Sequence, residues 1–341
     1  MSIYKIVLVG CGSMSHEWIK YALQSSDCEI VALVDVFIDN ANKINQEFNL
    51  NCPVFYNLKE AISTTNATLV FDVTIPASHM KVVTEAMRAG CNVMGEKPMA
   101  TSIIEAREIL AVQKETNKSY SVMQNRRFVK NIRAYKNIVQ SGQIGKSGMV
   151  CADFFLGPHF GGFRDLMDSP LILDMAIHTF DQARFITGSD PVSVYCHEFN
   201  PVGSWYRGNA SAICIFEFAD NSAFCYRGSW CSEGCPTSWE SSWRVTGSEG
   251  TAMWDGTNLP YAEAVKLSDS NPFHNECEKL ELDISWNGRE GHLGCLDEMF
   301  LALKEGRAAE TDCRDNIQSI LMVYGAIESS KTGKKVLLDS M

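Results

Sequence analysis

Lys5-Ile6-Val7-Leu8-Val9 runs straight into Gly10-Cys11-Gly12-Ser13-Met14-Ser15, and a second apolar run, Ile30-Val31-Ala32-Leu33-Val34, ends in Asp35. A strand that breaks at a glycine turn, followed by a strand that ends in an acid, constrains the fold more than any other feature of this chain. It predicts a βαβ unit of parallel strands with an anion site at its turn. Gly10 permits the tight strand-to-helix turn. Gly12 lets backbone approach a pyrophosphate, with Ser13 and Met14 completing the turn at the helix N-terminus, where unpaired N–H groups and the helix dipole favour anions. Ser15 replaces the third glycine of the pattern, which weakens it without removing it. Asp35 lies 23 residues after Gly12, the separation expected of a carboxylate that accepts from adenosine ribose hydroxyls. Val36-Phe37-Ile38 offers no Arg or Lys to a 2′-phosphate, so NAD is expected rather than NADP.

At 341 residues the chain suits two domains rather than one core. A net charge of −11 argues against nucleic acid or an anionic membrane as a main partner. No apolar run approaches the roughly 20 residues of a membrane span, and the first strand begins too early for a signal peptide. Thirteen cysteines are scattered, and Cys225, Cys231 and Cys235 lack the paired spacing of a structural zinc site. Reduced thiols in a cytoplasmic protein, with no metal, are therefore expected.

Between residues 4 and 123 apolar strands alternate with helical patterns: Tyr4–Val9, Ile30–Asp35, Leu69–Val73, Asn92–Gly95 and Tyr120–Met123 as strands, with helices such as Trp18–Gln24, Met80–Ala89 and Ile103–Glu115. That alternation predicts a parallel sheet covered on both faces, with ligands at the carboxyl ends of the strands, where Gly10, Asp35, Thr74-Ile75-Pro76 and Glu96-Lys97-Pro98 fall. After Arg127 the rhythm changes. A helix is predicted at Leu171–Thr187, followed by strands in succession at Val192–Phe199, Ala210–Phe218, Ala223–Trp230 and Trp243–Thr246, which implies an antiparallel sheet with one face open. The expected class is thus α/β: a dinucleotide-binding domain over 1–123 and an α+β domain over 124–341, with an active site between them.

In Leu171–Thr187, Asp174, His178 and Asp181 stand at i, i+4 and i+7 on one side of an otherwise apolar helix. Burying such a row costs several kcal/mol unless its members are paired or line a cavity. A neutral imidazole beside a carboxylate suits the base that takes a hydroxyl proton as hydride leaves carbon. Lys97, at the end of an apolar run and before a proline, would donate to the same oxygen. His159, Arg164 and the aromatic stretch from Trp230 to Trp243 are candidates to surround a sugar, through C–H packing on rings and donors to hydroxyls.

Together these segments resemble the glucose-fructose oxidoreductase / inositol dehydrogenase (Gfo/Idh/MocA) family across essentially the whole chain. The resemblance rests on Gly10-x-Gly12, Thr74-Ile75-Pro76 with His79, Glu96-Lys97-Pro98, Asn125-Arg126-Arg127-Phe128 and Asp174-x-x-x-His178. It implies a Rossmann domain joined to an α+β domain whose open sheet is a subunit interface, hence a homodimer or homotetramer. It also implies oxidation of a ring alcohol of a sugar, glycoside or inositol, with Lys97 and His178 as the catalytic pair and Asp174 beside them. Cofactor contacts are implied for Thr74, Ile75, Pro76, His79, Glu96, Lys97 and Asn125, and substrate contacts for Arg127 as well as the residues above. Two alternatives fit the same residues: an NAD-dependent glycoside-cleaving enzyme that oxidises, eliminates and reduces again, and a dinucleotide-binding sensor without turnover.

Overall fold

The computed structural model describes residues 3–266 and 273–338. The chain divides into two compact units, the first formed by Met1–Asn125 with His292–Ile320, the second by Arg126–Gly291 with Leu321–Met341.

In the first unit, strands β1 (Tyr4–Val9), β2 (Cys28–Val34), β3 (Val54–Phe55), β4 (Leu69–Asp72), β5 (Asn92–Gly95) and β6 (Tyr120–Val122) form one sheet in the order β3-β2-β1-β4-β5-β6. Every pairing in it is parallel. Helices α1 (Ser15–Gln24), α2 (Ile38–Glu47), α3 (Leu58–Thr65), α4 (Pro76–Arg88) and α5 (Ile103–Thr116) make the crossovers. Ile6, Val7, Leu8, Leu69, Val70 and Phe71 are all buried, as unbroken apolar runs must be in a sheet covered on both faces. The strand order reverses between β1 and β4, and a crevice opens at their carboxyl ends. The expected strands and helices match these elements closely. β3 and α3 were not anticipated, since two residues of strand and one short helix carry little periodic signal.

The expected single break near residue 124 coincides with the first crossing, at Asn125. The structure differs in returning His292–Ile320 to the first unit. The reason is packing: helix α8 (Gly291–Glu305) brings Phe300 against Tyr21, Tyr4 and Phe71, at ring separations of 5.5, 5.8 and 6.2 Å.

Among its described residues the second unit contains α6 (Lys130–Gln140), α7 (Ile177–Thr187), part of α9 (Cys313–Thr332) and nine strands. These are β7 (Ser147–Phe155), β8 (Pro191–Phe199), β9 (Ser211–Phe218), β10 (Ala223–Ser229), β11 (Ser242–Gly247), β12 (Gly250–Trp254), β13 (Tyr261–Val265), β14 (Cys277–Lys279) and β15 (Val336–Leu337). Their order is β14-β13-β12-β11-β7-β10-β9-β8-β15, antiparallel except where β10 meets β7. One face is the core, where Phe180 of α7 lies edge-on to Phe216 and Tyr226 at 4.9 and 5.2 Å. On the other face Tyr195 opposes Ile215 and His197 opposes Ile213, and these side chains are exposed.

Glu198 of β8 alternates onto the buried face, where Ser169 donates to its carboxylate at 3.3 Å. Burial pushes its pKa from an ordinary 4.5 up to about 7, against the smaller opposing effects of Ser169 and Lys331. Between those values the folded chain holds a proton that the unfolded chain has released, so this group's contribution falls as pH rises. Urea unfolding at pH 5.5 and pH 8 should therefore show a loss of stability that is smaller in Glu198→Gln. An equal loss in both proteins would remove Glu198 from the account.

Candidate functional site

The turn from β1 to α1 is built around two glycines with opposite reasons. Gly10 has φ +91°, and a Cβ there would stand 2.6 Å from the Val73 carbonyl oxygen, so no side chain fits. A Cβ on Gly12 would meet nothing within 4 Å, which leaves its backbone open to a ligand. Ser15 is fully buried and its hydroxyl donates to the Gly12 carbonyl at 2.6 Å, which is how serine is accommodated in place of a third glycine. Asp35, just past β2, closes the arrangement: Oδ2 accepts from the Cys11 N–H at 2.7 Å and Oδ1 from the Phe37 N–H at 2.8 Å. Burial and the Asp35 charge push the Cys11 thiol up to about 12, so it stays protonated and unreactive.

These residues edge a cleft of about 430 Å³ at the strand ends. Val36, Phe37, Tyr56 and Ile75 line it, with Phe37 70% and Ile75 69% exposed. Apolar side chains left bare beside a carboxylate suit a flat heteroaromatic ring attached to a sugar. Thr74, also in the wall, is held by Asp72, whose Oδ1 accepts from its hydroxyl at 2.6 Å. Ser13 and Met14 are exposed where α1 begins, and Pro76 opens α4.

His79 departs from expectation. It is fully buried, with Nδ1 2.8 Å from Asp72 Oδ2, so it braces the carboxylate that fixes Thr74. Burial opposes its protonation, but Asp72 outweighs that and the imidazole pKa is raised. Lys81, absent from the sequence reading, lines the cleft from α4. Nothing in the segment after Asp35 points to it; its spacing of three from Ser78, another wall residue, is the available signal.

At the end of β5, Glu96 is buried and accepts from Trp18 Nε1 at 2.8 Å. His292 Nε2 lies 3.7 Å from the same oxygen, and Asn125 Nδ2 lies 3.3 Å from His292 Nδ1. Glu96 thus fixes the turn in which Lys97 follows, half-buried, with a cis bond to Pro98.

In the second unit Leu171–Ala176 forms a π-helical turn that leads directly into α7, so Asp174 sits in the wider turn and His178 in the first turn of regular helix. Such turns recur at functional sites. Arg164 Nε donates to Asp174 Oδ2 at 2.8 Å while its guanidinium lies over the Phe163 and Phe160 rings. His178 is buried on the same helix. Asp181, the third member of the expected stripe, is paired instead with Arg127: Nε to Oδ2 and Nη2 to Oδ1, both 2.7 Å. Arg127, expected to touch substrate, is therefore committed to an internal ion pair. Trp230 is likewise corrected: it is fully buried against Phe154, Phe160 and Trp239, so it is core, whereas Trp239 is exposed. His159 is exposed, stacked on Trp205 at 3.8 Å with Nε2 2.8 Å from Glu233. Among the described residues no group of three or more His, Cys, Asp or Glu is arranged to hold a metal ion.

Comparison with known proteins matches residues 4–124 to the oxidoreductase family with an NAD-binding Rossmann fold, and residues 132–253 to the GFO/IDH/MocA C-terminal domain. D-apiose dehydrogenase of Paraburkholderia graminis is 22% identical, with 99% of this chain and 90% of that protein covered. Inositol 2-dehydrogenase of Rhizobium meliloti is 28% identical over a match that spans 55% of this chain and 56% of that one. An oxidoreductase from Agrobacterium radiobacter, solved in complex with NAD+, L-tartaric acid and magnesium, superimposes with a TM-score of 0.86 over the whole of both chains at 20% identity.

The two glycines should respond differently to one added methyl group. Gly10→Ala should lower the thermal midpoint sharply, because the turn and the Val73 carbonyl must both move. Gly12→Ala should unfold like the unmodified protein yet bind NADH at least about tenfold more weakly, an effect of about 1.4 kcal/mol. Fluorescence titration with NADH and a thermal scan of both variants check this; equal behaviour would contradict the assignment of the two positions.

Proposed function

Because this chain belongs to the GFO/IDH/MocA oxidoreductase family, whose N-terminal domain is an NAD-binding Rossmann fold, we propose that it is a dehydrogenase moving hydride between a ring secondary alcohol of a sugar, glycoside or inositol and the nicotinamide. The observation that carries the reading is the cleft at the β1–β4 switch point, where an open Gly12 backbone and an Asp35 fixed by two N–H groups face bare apolar walls. The relatives named as D-apiose and inositol dehydrogenases support the substrate class.

The residues fit NAD, which when bound supplies the hydride acceptor. Gly12, Ser13 and Met14 would meet the pyrophosphate at the α1 N-terminus. Asp35 would accept from the ribose hydroxyls and repel a 2′-phosphate, so NAD is preferred over NADP. Thr74, Ile75 and Pro76 would border the nucleotide. On the substrate, neutral His178 takes the hydroxyl proton and Lys97 donates to that oxygen as charge develops there. Asp174 orients the substrate, with Arg164 and His159 donating to its remaining hydroxyls. The exposed β8–β9 face, with Tyr195, Ile213 and Ile215, is the proposed contact between copies of the chain in a homodimer or homotetramer.

His178→Ala and Lys97→Ala should each lower kcat by roughly 10²–10⁴ while NAD binding is little changed, since each acts mainly in the transition state. Single-turnover hydride transfer, with a panel of sugars, glycosides and inositols, measures this by absorbance of the reduced cofactor. Near-normal rates in the variants would refute the mechanism, and product formed without NADH in proportion would favour glycoside cleavage. Light scattering at micromolar concentration should give at least twice the 37.9 kDa mass of one chain; the monomer mass would contradict the proposed assembly.

A further inference from the structure

The ion pair between Arg127 and Asp181 has a geometry beyond what fold support requires. It is bidentate, with both bonds at 2.7 Å, and its side chains are only 6% and 2% exposed. Asp181 stands three residues after His178 in α7, one turn along the same side of the helix. Arg127 comes from the short 3₁₀ turn Asn125–Arg127, and Arg133 Nε donates to its carbonyl at 2.8 Å, which holds the turn in place. A guanidinium gripping a carboxylate through two parallel bonds fixes direction as well as distance. It therefore fixes the rotation of the helix segment that presents His178.

The same pair places a buried carboxylate and its counter-charge one turn from His178. Several charged groups on or against this stretch are themselves paired. Asp174 is paired with Arg164, and Arg184 lies with Asp190 at 2.7 Å and 3.9 Å from Asp181. Glu240 accepts from Gln182 at 2.7 Å and faces Arg126 at 3.8 Å. Tyr226, in ring contact with Phe180, is held protonated by burial. Arg127 is the bidentate partner of Asp181, while Arg184 stands farther off.

We propose that Arg127 is a positioning residue for the reaction: paired with Asp181, it aims the helix that carries His178 and neutralises the buried carboxylate one turn from that imidazole. The proposal rests on His178 as the base. It predicts shifts of opposite sign. Arg127→Met leaves a buried carboxylate one turn from His178, which favours the imidazolium and should raise its titration midpoint by about one unit or more. Asp181→Asn leaves a buried cation and should lower the midpoint comparably. The double variant Arg127→Met/Asp181→Asn, with neither charge, should titrate close to the unmodified protein, as should Arg127→Lys, which keeps the charge.

The test is an NMR titration of the imidazole ¹³C–¹H signals in the NAD-free protein, with the His178 signal assigned by its loss in His178→Gln. The acid limb of kcat/KM against pH, where turnover is measurable, should move with it. Opposite shifts in the two single variants support the proposal. Unchanged midpoints, or shifts of the same sign, overturn it and leave the pair as fold support only. Should the single variants fail to fold, the neutral double decides: the proposal requires its midpoint to match that of the unmodified protein while its hydride-transfer rate on the pH plateau falls at least about tenfold, because the helix is no longer aimed, and an unchanged plateau rate or a midpoint one unit away overturns it. Normal hydride transfer in His178→Ala would refute the base assignment while leaving the NMR shifts intact, so the two readings fail separately.

Discussion

The Asp35 carboxylate, gripped by the N–H groups of Cys11 and Phe37, is the interaction on which the binding end of the first unit depends. A hydrogen bond to an ionised group contributes roughly 1.5–3 kcal/mol, about twice a neutral one. Here two such bonds join the end of β2 to the turn that follows β1. Gly10 extends the clamp to β4, because its missing Cβ lets the backbone at Val73 close in. Three strand ends are locked together by main-chain contacts and one side chain. The cleft beyond them inherits that rigidity, and its outward walls are the largely exposed side chains of Phe37, Tyr56 and Ile75.

The second unit solves a different problem, that of holding polar side chains inside an apolar helix layer. It does so by pairing. Arg127 with Asp181, Arg164 with Asp174 and Gln182 with Glu240 each answer a group that burial alone would make costly. The π-turn before α7 loosens the helix where Asp174 sits, so the acid reaches Arg164 while His178 stays in regular helix. A row at i, i+4 and i+7 thus becomes three side chains with three different surroundings.

That outcome marks where sequence reading stops. Unbroken apolar runs, the glycine turn and the acid that follows announce the parallel sheet and its switch point, because those patterns are local and repeat with a known period. Leu171–Thr187 was likewise legible as a helix from its apolar content. The fates of His79, Arg127 and Trp230 were not, because residue type does not disclose the partner. Asp72 lies seven residues before His79, and Asp181 fifty-four beyond Arg127. Trp230 reads equally as a sugar platform or a core ring until Phe154 and Trp239 are seen around it. Strands β12 to β14 are silent for a simpler reason: Gly-Thr-Ala-Met-Trp, Tyr-Ala-Glu-Ala-Val and Cys-Glu-Lys contain no apolar run longer than three residues, and they lie toward one edge of the sheet.

The return of His292–Ile320 to the first unit bears on how the chain is made. A nascent polypeptide that has emerged only as far as Asn125 possesses all six strands of its parallel sheet but not α8. Tyr4, Tyr21 and Phe71 then lack Phe300, the ring that packs on all three. More than 160 residues of the second unit must leave the ribosome before that surface can be covered. The first unit is therefore begun first and finished late. The two units cannot be separated by a single cut, exchanged as consecutive cassettes or expressed as a simple N-terminal fragment without leaving an aromatic face bare to water.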